Sequence, residues 1–342
     1  MRFGPVVLDQ AEGAVLAHSL RALDRPYDMQ MTYRIAKGTR LTRIHIDDLA
    51  AEGHETVVVA FLEAGDVPED RAAERLAQAI LTASKGHGLR ASGAGAGRVN
   101  LYTTGCGVAR VDAKIINAIN AIDPMITIAT VPDFHRVDAD GMIATIKIIS
   151  YAVPETNLVK ACDIAQGGLR VAPPVFGSAT LIETTVGPEA PSDKGRSAML
   201  GRVQRMGMML QDRVLVPHRP ESLADAIQSA TGEIVFVLTA SATSDVHDVA
   251  PEAVRLAGGE IERFGMPVDP GNLLFLGRCK GRPVIGLPGC ARSPALNGAD
   301  WVLERIICGI DVTASDIAAM GVGGLLKEIP TRPMPRERVE RG

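Results

Sequence analysis

The 342-residue sequence contains no apolar run that could cross a bilayer. The longest, such as Thr56 to Leu62, falls far short of the roughly 20 residues a spanning helix needs. Met1-Arg2-Phe3-Gly4-Pro5 lacks the apolar core of a signal peptide, so the expected compartment is the cytoplasm, with no membrane partner. No long block of lysine and arginine is present either. With 36 basic against 40 acidic side chains the formal net charge is −4, which argues against general nucleic-acid binding and requires any basic site to be local. The five cysteines (Cys106, Cys162, Cys279, Cys290, Cys308) are odd in number and show no Cys-x-x-Cys spacing, which speaks against a disulfide framework or zinc knuckle. They are expected to serve as small buried hydrophobes.

What is present suits a large core. Hydrophobic residues make up 46% and charged residues 22% of a chain long enough for two or three domains. Residues 1–62 read as a β-rich region: a helix-like interlude at Arg43 to Ala51, a turn at Lys37-Gly38-Thr39 and a strand at Thr56 to Ala60. Residues 63–168 read as an α+β domain. Asp66-Val67-Pro68-Glu69 predicts a helix start with Ala72, Leu76 and Ile80 on one face, stopping near Lys85-Gly86 before a glycine-rich loop at Gly86 to Gly97. Asp112 predicts a second helix with Ile115, Ile116, Ile119 and Ile122 at helical spacing, and Ile126 to Val131 and Met142 to Ile149 read as strands.

From about Leu169 the pattern alternates strand and helix: Val175 to Ile182, Arg196 to Leu210, Arg213 to Val216, Glu221 to Ala230, Glu233 to Leu238, Ala250 to Ala257. Met199, Val203, Met206 and Leu210 mark the buried stripe of the first helix. Such alternation predicts a three-layer α/β/α domain over 169–310, its sheet mostly parallel, with ligands at the strands' carboxyl ends. The chain is thus expected to be a multidomain α/β protein in which this domain follows smaller β-rich and α+β domains. Residues 311–342 are expected as a tail or linker, ending in the proline- and arginine-rich Pro330 to Arg336.

Three loops at the carboxyl edge carry the candidate chemistry. The first runs from Glu183-Thr184-Thr185 to Ser192-Asp193-Lys194-Gly195-Arg196. Its carboxylates beside hydroxyls suit a hydrated Mg²⁺ and Lys194 and Arg196 suit phosphate; a solvated loop explains it equally well. In the second, Thr239-Ala240-Ser241-Ala242-Thr243-Ser244-Asp245-Val246-His247-Asp248, one N-cap would account for Asp245 or Asp248 alone. The row of hydroxyls around them favours a site where backbone amides hold an oxyanion and the two aspartates a metal. The third is Val284-Ile285-Gly286-Leu287-Pro288-Gly289-Cys290-Ala291-Arg292-Ser293, a sharp turn before a helix through Trp301, capped by Ser293 or Asn297. Asp269-Pro270-Gly271-Asn272 nearby is either a close approach of backbone to ligand or a plain hairpin turn.

In order, Val237-Leu238-Thr239-Ala240-Ser241 with Asp248, Gly258-Gly259-Glu260, Asp269-Pro270-Gly271-Asn272, Gly277-Arg278 and Gly286-Leu287-Pro288-Gly289 with Ser293 resemble the molybdopterin-binding domain of the molybdopterin molybdenumtransferase family. The likeness covers about residues 170 to 310 and extends more weakly to Lys37-Gly38-Thr39, Asp47 to Gly53 and Thr56 to Val59. Phe264 to Leu274, Gly286 to Pro294 and Asp316 to Pro330 look typical of a subgroup encoded with molybdenum hydroxylases and often fused to a nucleotidyltransferase. The sequence departs from the family where Ser241-Ala242 replaces a glycine pair, where Glu183-Thr184-Thr185 stands near the place of Gly-Asp-Glu, and where Cys290-Ala291 follows Leu-Pro-Gly.

The resemblance implies binding of molybdopterin or its adenylylated form, with Mg²⁺ and with molybdate as a substrate to be inserted. Asp245, Asp248 and Glu183 would be catalytic, the first two as Mg²⁺ ligands. Thr239, Ser241, Thr243, Ser244, Lys194, Arg196, Asp269, Gly271, Asn272, Pro288, Gly289, Cys290, Arg292 and Ser293 would hold the cofactor. Lys194, Arg196, Arg278, Lys280, Arg282 and Arg292 would form a basic cluster for its charges. The family also implies a homodimer, with Arg98 and Asn100 facing the partner's site, and service to a molybdenum hydroxylase or a docked nucleotidyltransferase. A non-catalytic carrier of finished cofactor and a regulator binding a nucleotide or sugar phosphate are the alternatives.

Overall fold

The computed structural model describes residues 1–24, 31–83 and 88–326. The expected helix stop at Lys85-Gly86, the start of the glycine-rich stretch and the Pro330 to Arg336 tail lie outside the described residues. The chain divides into two compact units, residues 1–104, 109–135 and 139–171 in the first and 105–108, 136–138 and 172–342 in the second. No described helix is long and apolar enough to cross a membrane.

In the first unit, β1 (Arg2–Val7), β2 (Val15–Leu16), the antiparallel pair β3 (Leu20–Asp24) and β4 (Met31–Ile35), α1 (Arg43–Ala51) and β5 (Thr56–Phe61) enclose Leu16, Ile46, Leu49 and Val59. β6 (Asp66–Pro68) follows; Pro68 stands directly before the first helical residue, as expected, while Asp66, expected as the N-cap, lies in this strand and its carboxylate accepts from Glu63 N at 2.7 Å. α2 (Glu69–Ala83) then buries Ala72, Leu76 and Ile80, the stripe its 3.6-residue period predicts. In chain order come β7 (Leu89–Ala91), β8 (Arg98–Thr103), β9 (Gly107–Val111), α3 (Ala113–Ile122), β10 (Ile126–Thr130), β11 (Arg136–Val137), β12 (Met142–Ile148), β13 (Ala152–Pro154), α4 (Glu155–Ile164) and β14 (Leu169–Ala172), of which β11, Gly107 and Val108 of β9, and Ala172 of β14 fall in the second unit. Asp112 caps α3 as expected, accepting from Lys114 N and Ile115 N at 2.9 and 3.3 Å.

The second unit is built on a seven-stranded sheet. Its elements are β15 (Ser178–Thr185), α5 (Lys194–Arg205), β16 (Met209–Leu210), β17 (Val214–Pro217), α6 (Pro220–Ser229), β18 (Ile234–Leu238), α7 (Val249–Leu256), β19 (Glu260–Phe264), β20 (Phe275–Cys279), β21 (Arg282–Gly286), α8 (Gly298–Ile307) and α9 (Ala314–Ala318). β15, β18 and β21 are adjacent and parallel, β16 and β17 pair parallel to successive stretches of β15, and β20 and β19 complete the far side antiparallel. All five residues of β18 are buried, as befits a central strand covered on both faces. Val235 and Val237 pack into a core with Leu223 and Ile227 of α6 and Ala253 and Val254 of α7, while Leu238, pointing the other way, meets Gly195 of α5. The helix expected to reach Leu210 stops at Arg205: Gly207 adopts φ 71°, and Met209–Leu210 pairs with β15 instead. Residues 311–326, expected as tail, fold onto this unit, because Val312, Ile317 and Met320 supply a buried apolar stripe and Leu326 N donates to Asp269 O at 2.9 Å.

Candidate functional site

Strand polarity collects the loops. β15, β18 and β21 run side by side and end at Thr185, Leu238 and Gly286, so residues 186–193, 239–248 and 287–297 leave from one edge. The connection from β19 to β20 lies at that edge too, since Phe275 pairs with Gly286. Neighbouring loops are tied together: Ala240 N donates to Thr184 Oγ1 at 2.8 Å, Leu287 N to Val237 O at 2.8 Å, and Arg292 Nη2 to Thr239 O at 2.6 Å.

Between the first turn of α5 and the third loop is a cavity of about 490 Å³ lined by Lys194, Ser197, Ala198, Arg292, Ser293 and Pro294. Lys194 is the first residue of α5, and Asp193 before it makes no side-chain cap, so the helix's leading amides and positive dipole end lie beside two cations. Gly195 makes this approach possible. A Cβ there would stand 2.7 Å from Leu238 Cδ2 and 3.4 Å from Arg292 Cγ, so one of these side chains or the helix would have to shift. Phosphates, molybdate and carboxylates are the chemistry such a corner recognises.

Two arginines hold the loops in place, and neither was among the expected site residues. Arg202, 3% exposed, gives Nε to Asp300 Oδ1 at 2.5 Å, and its remaining donors reach the carbonyls of Ala291, Ser293 and Ala295 at 2.9–3.1 Å. One guanidinium thereby clamps the chain on either side of Arg292. Arg213 binds buried Glu183 through Nε at 2.8 Å, Asp193 at 2.7 Å and Pro191 O at 2.8 Å, pinning the first loop to the end of β15. A signal for Arg202 existed: a charged residue three positions from Met199 and beside Val203, on an otherwise apolar stripe, needs a buried partner. Asn297 with Asp300 also reads as a capping box, and Asn297, not Ser293, caps α8; Ser293 Oγ accepts from Ala295 N at 3.2 Å.

The carboxylates expected to hold Mg²⁺ are engaged otherwise. Asp248 caps α7, Oδ1 accepting from Val249 N at 2.7 Å and Oδ2 from Ser244 N at 2.9 Å, and Asp245 Oδ1 accepts from His247 N at 2.8 Å. Glu183 faces Arg213. Among the described residues no group of three or more His, Cys, Asp and Glu side chains is arranged to hold a metal ion. With their oxygens turned to backbone amides and to Arg213, these donors do not fit a resident Mg²⁺.

The second loop's hydroxyls mostly organise the loop itself. Thr239 Oγ1 donates to Ser241 O at 2.6 Å and lies 3.3 Å from Thr243 Oγ1, and Ser244 Oγ donates to Ala242 O at 3.3 Å; Ser241 is exposed. Asp269, Gly271 and Asn272 shape the β19–β20 turn: Asp269 N donates to Gly324 O, Met266 N to Asn272 O, and a Cβ on Gly271 would sit 2.6 Å from Gly298 N. Pro288, Gly289 and Cys290 belong to a 3₁₀ turn opened by Pro288, beside Arg292. Arg196 lies outside the cavity lining, Nη2 donating to Gln211 O at 2.7 Å.

The expected basic cluster is split by the direction of β21. Lys280 occupies the β20–β21 turn, with Arg278 and Arg282 flanking it, and β21 begins there, at the amino edge. Arg282 donates to the carbonyls of Ile227 and Ala230 at the end of α6 and of Gly232 just beyond it, and Arg278 pairs with Asp311 at 3.6 Å. Only Lys194 and Arg292 of the six line the cavity.

A turn beyond Asp300, Glu304 is 6% exposed, and burial together with the Asp300 charge pushes its carboxyl up to about 8, against the pull of Arg136, Arg205 and Arg202.

No protein-family profile and no curated protein matches the chain. Among the solved structures similar to it are a molybdopterin biosynthesis MoeA protein from Pyrococcus horikosii, 13% identical over 90% of this chain and 75% of that one at a TM-score of 0.31, and a molybdenum cofactor biosynthesis protein B, 13% identical over 40% of this chain and 96% of that one at a TM-score of 0.30.

Proposed function

We propose that the chain binds molybdopterin, or its adenylylated form, at the carboxyl edge of the second unit and acts in molybdenum cofactor biosynthesis. The ordered motifs from Val237 to Ser293 support the pterin, and one observation carries the binding mode: Lys194 and Arg292 meet the uncapped start of α5 around a cavity of about 490 Å³. The terminal phosphate sits at that corner, where two cations and helix amides offset its charge without help from the rest of a chain of net charge −4. Thr239, Ser241, Thr243 and Ser244 stand along the loop that Arg292 holds. Molybdate enters as the substrate to be joined to the dithiolene, in a homodimer that serves a molybdenum hydroxylase or receives cofactor from a nucleotidyltransferase.

The second reading, a carrier that hands on finished cofactor, is favoured by a specific observation: Asp245 and Asp248 are occupied by backbone amides. Incubating the purified chain with adenylylated molybdopterin, molybdate and Mg²⁺ separates the two. Release of AMP supports insertion; retained pterin without AMP supports the carrier; no retention of pterin by wild type removes both.

A further inference from the structure

A second cavity, of about 190 Å³, opens at the amino edge of the second unit's sheet, on the face that α8 covers. Strand alternation brings its parts together. Phe275 and Cys279 of β20 and Val284 of β21 enter the core that α6 and α7 cover, so Leu276 and Arg278, with Pro283 paired to Arg278, point the other way, toward α8. Leu276, Pro283, Ile306 of α8, Phe176 and Val312 supply apolar walls. α8 stops at Ile307, and Gly309, at φ 66°, turns the chain back so that Asp311 and Val312 reach the same cavity.

Two opposite charges stand at its rim. Arg278 Nη2 and Asp311 Oδ1 are 3.6 Å apart, beyond the reach of a good hydrogen bond, and the side chains are 53% and 93% exposed. An ion pair so solvated contributes little, so a ligand that offers each charge a closer partner displaces it at small cost.

We infer that this cavity is a binding site for an apolar α-amino acid. The α-carboxylate accepts from the Arg278 guanidinium, the α-ammonium donates to Asp311, and the side chain fills the space between Leu276, Ile306 and Val312. A rim charge of each sign suits a zwitterion better than a phosphate, whose second negative charge Asp311 repels. An apolar cavity of about 150 Å³ takes up benzene, so leucine and phenylalanine are of the right size here, while glycine leaves the walls uncovered. The site stands at the opposite edge of the sheet from Lys194 and Arg292 and does not depend on the pterin.

The test is titration calorimetry of the full chain with L-leucine, repeated with glycine, with isocaproate, which is leucine without its ammonium, and with isoamylamine, which lacks the carboxylate. Leucine is expected to bind saturably at millimolar concentration or below, and each analogue about tenfold more weakly, the size of one hydrogen-bonded charge. Arg278→Gln and Asp311→Asn change exposed side chains; each is expected to keep the wild-type unfolding midpoint and to weaken leucine binding about five- to tenfold. No saturable leucine binding by wild type overturns the site. Three further results also overturn it: glycine binding as tightly as leucine, which leaves the apolar walls no part; isocaproate matching leucine, which leaves Asp311 none; and leucine binding unchanged in Arg278→Gln, which puts the ligand elsewhere.

Discussion

The two edges of the second unit's sheet both carry arginines, and they use them oppositely. At the amino edge Arg282 reaches three carbonyls, Ile227 in the last turn of α6, its C-cap Ala230 and Gly232 just beyond, so that backbone oxygens claim its donors. At the carboxyl edge Arg292 makes one hydrogen bond, to Thr239 O, and otherwise lines a cavity with Lys194. Ten residues separate Arg282 from Arg292, and β21 carries the chain between the edges. A guanidinium is available to a ligand only where backbone has not already claimed its donors.

Substitutions can break this contrast, and the largest effect belongs to the residue that builds the carboxyl edge without lining its cavity. Arg202→Met leaves Asp300 buried without its partner and frees the carbonyls of Ala291, Ser293 and Ala295; it is expected to cost about 3–5 kcal/mol and to loosen phosphate binding, read by urea unfolding and calorimetry. An unchanged unfolding midpoint would show that the clamp is dispensable. Arg282→Ala should lose about 1.5–3 kcal/mol while leaving phosphate affinity as it was; altered affinity would join the two edges into one basic patch after all.

Glu304 sharpens the comparison along α8, whose N-terminus stands at the carboxyl edge. Its carboxyl, at about 8 in the folded chain against an ordinary 4.5, favours the folded state fully below pH 4.5, and that contribution is lost as pH rises to about 8. Glu304→Gln is therefore expected to flatten stability against pH over this window by up to about 1.4 kcal/mol per pH unit. Parallel curves for the two proteins would refute it. The smallest expected change in stability comes with the most direct functional one: Arg292→Ala should weaken phosphate binding about tenfold, or about 1.4 kcal/mol, with unfolding nearly unaltered. Equal affinity in this variant would remove the cavity as the anion site.

Much of the architecture was legible because its causes are local. Asp112 capped the helix it was expected to cap, the Ala72–Leu76–Ile80 stripe is buried, and the run through Leu238 is a buried central strand. Gly207 shows where a local reading failed: the apolar period continued to Leu210, but a left-handed residue broke the helix and turned Met209–Leu210 into edge strand. The loops were located by their polarity, yet that polarity did not separate capping from ligand binding. Asp248 carries the same carboxylate whether it meets Val249 N or a cation.

What the sequence determined by itself was the succession of strands and helices and the edge where polar loops gather, since side-chain period and caps act within a few residues. The tertiary structure alone decided which charged groups remain available to a ligand. Arg202 and Asp300 are 98 residues apart in the chain and 2.5 Å apart in space. A charge keeps its pull on a ligand only if folding leaves it hydrated and unpaired, and that is settled by neighbours no local pattern names.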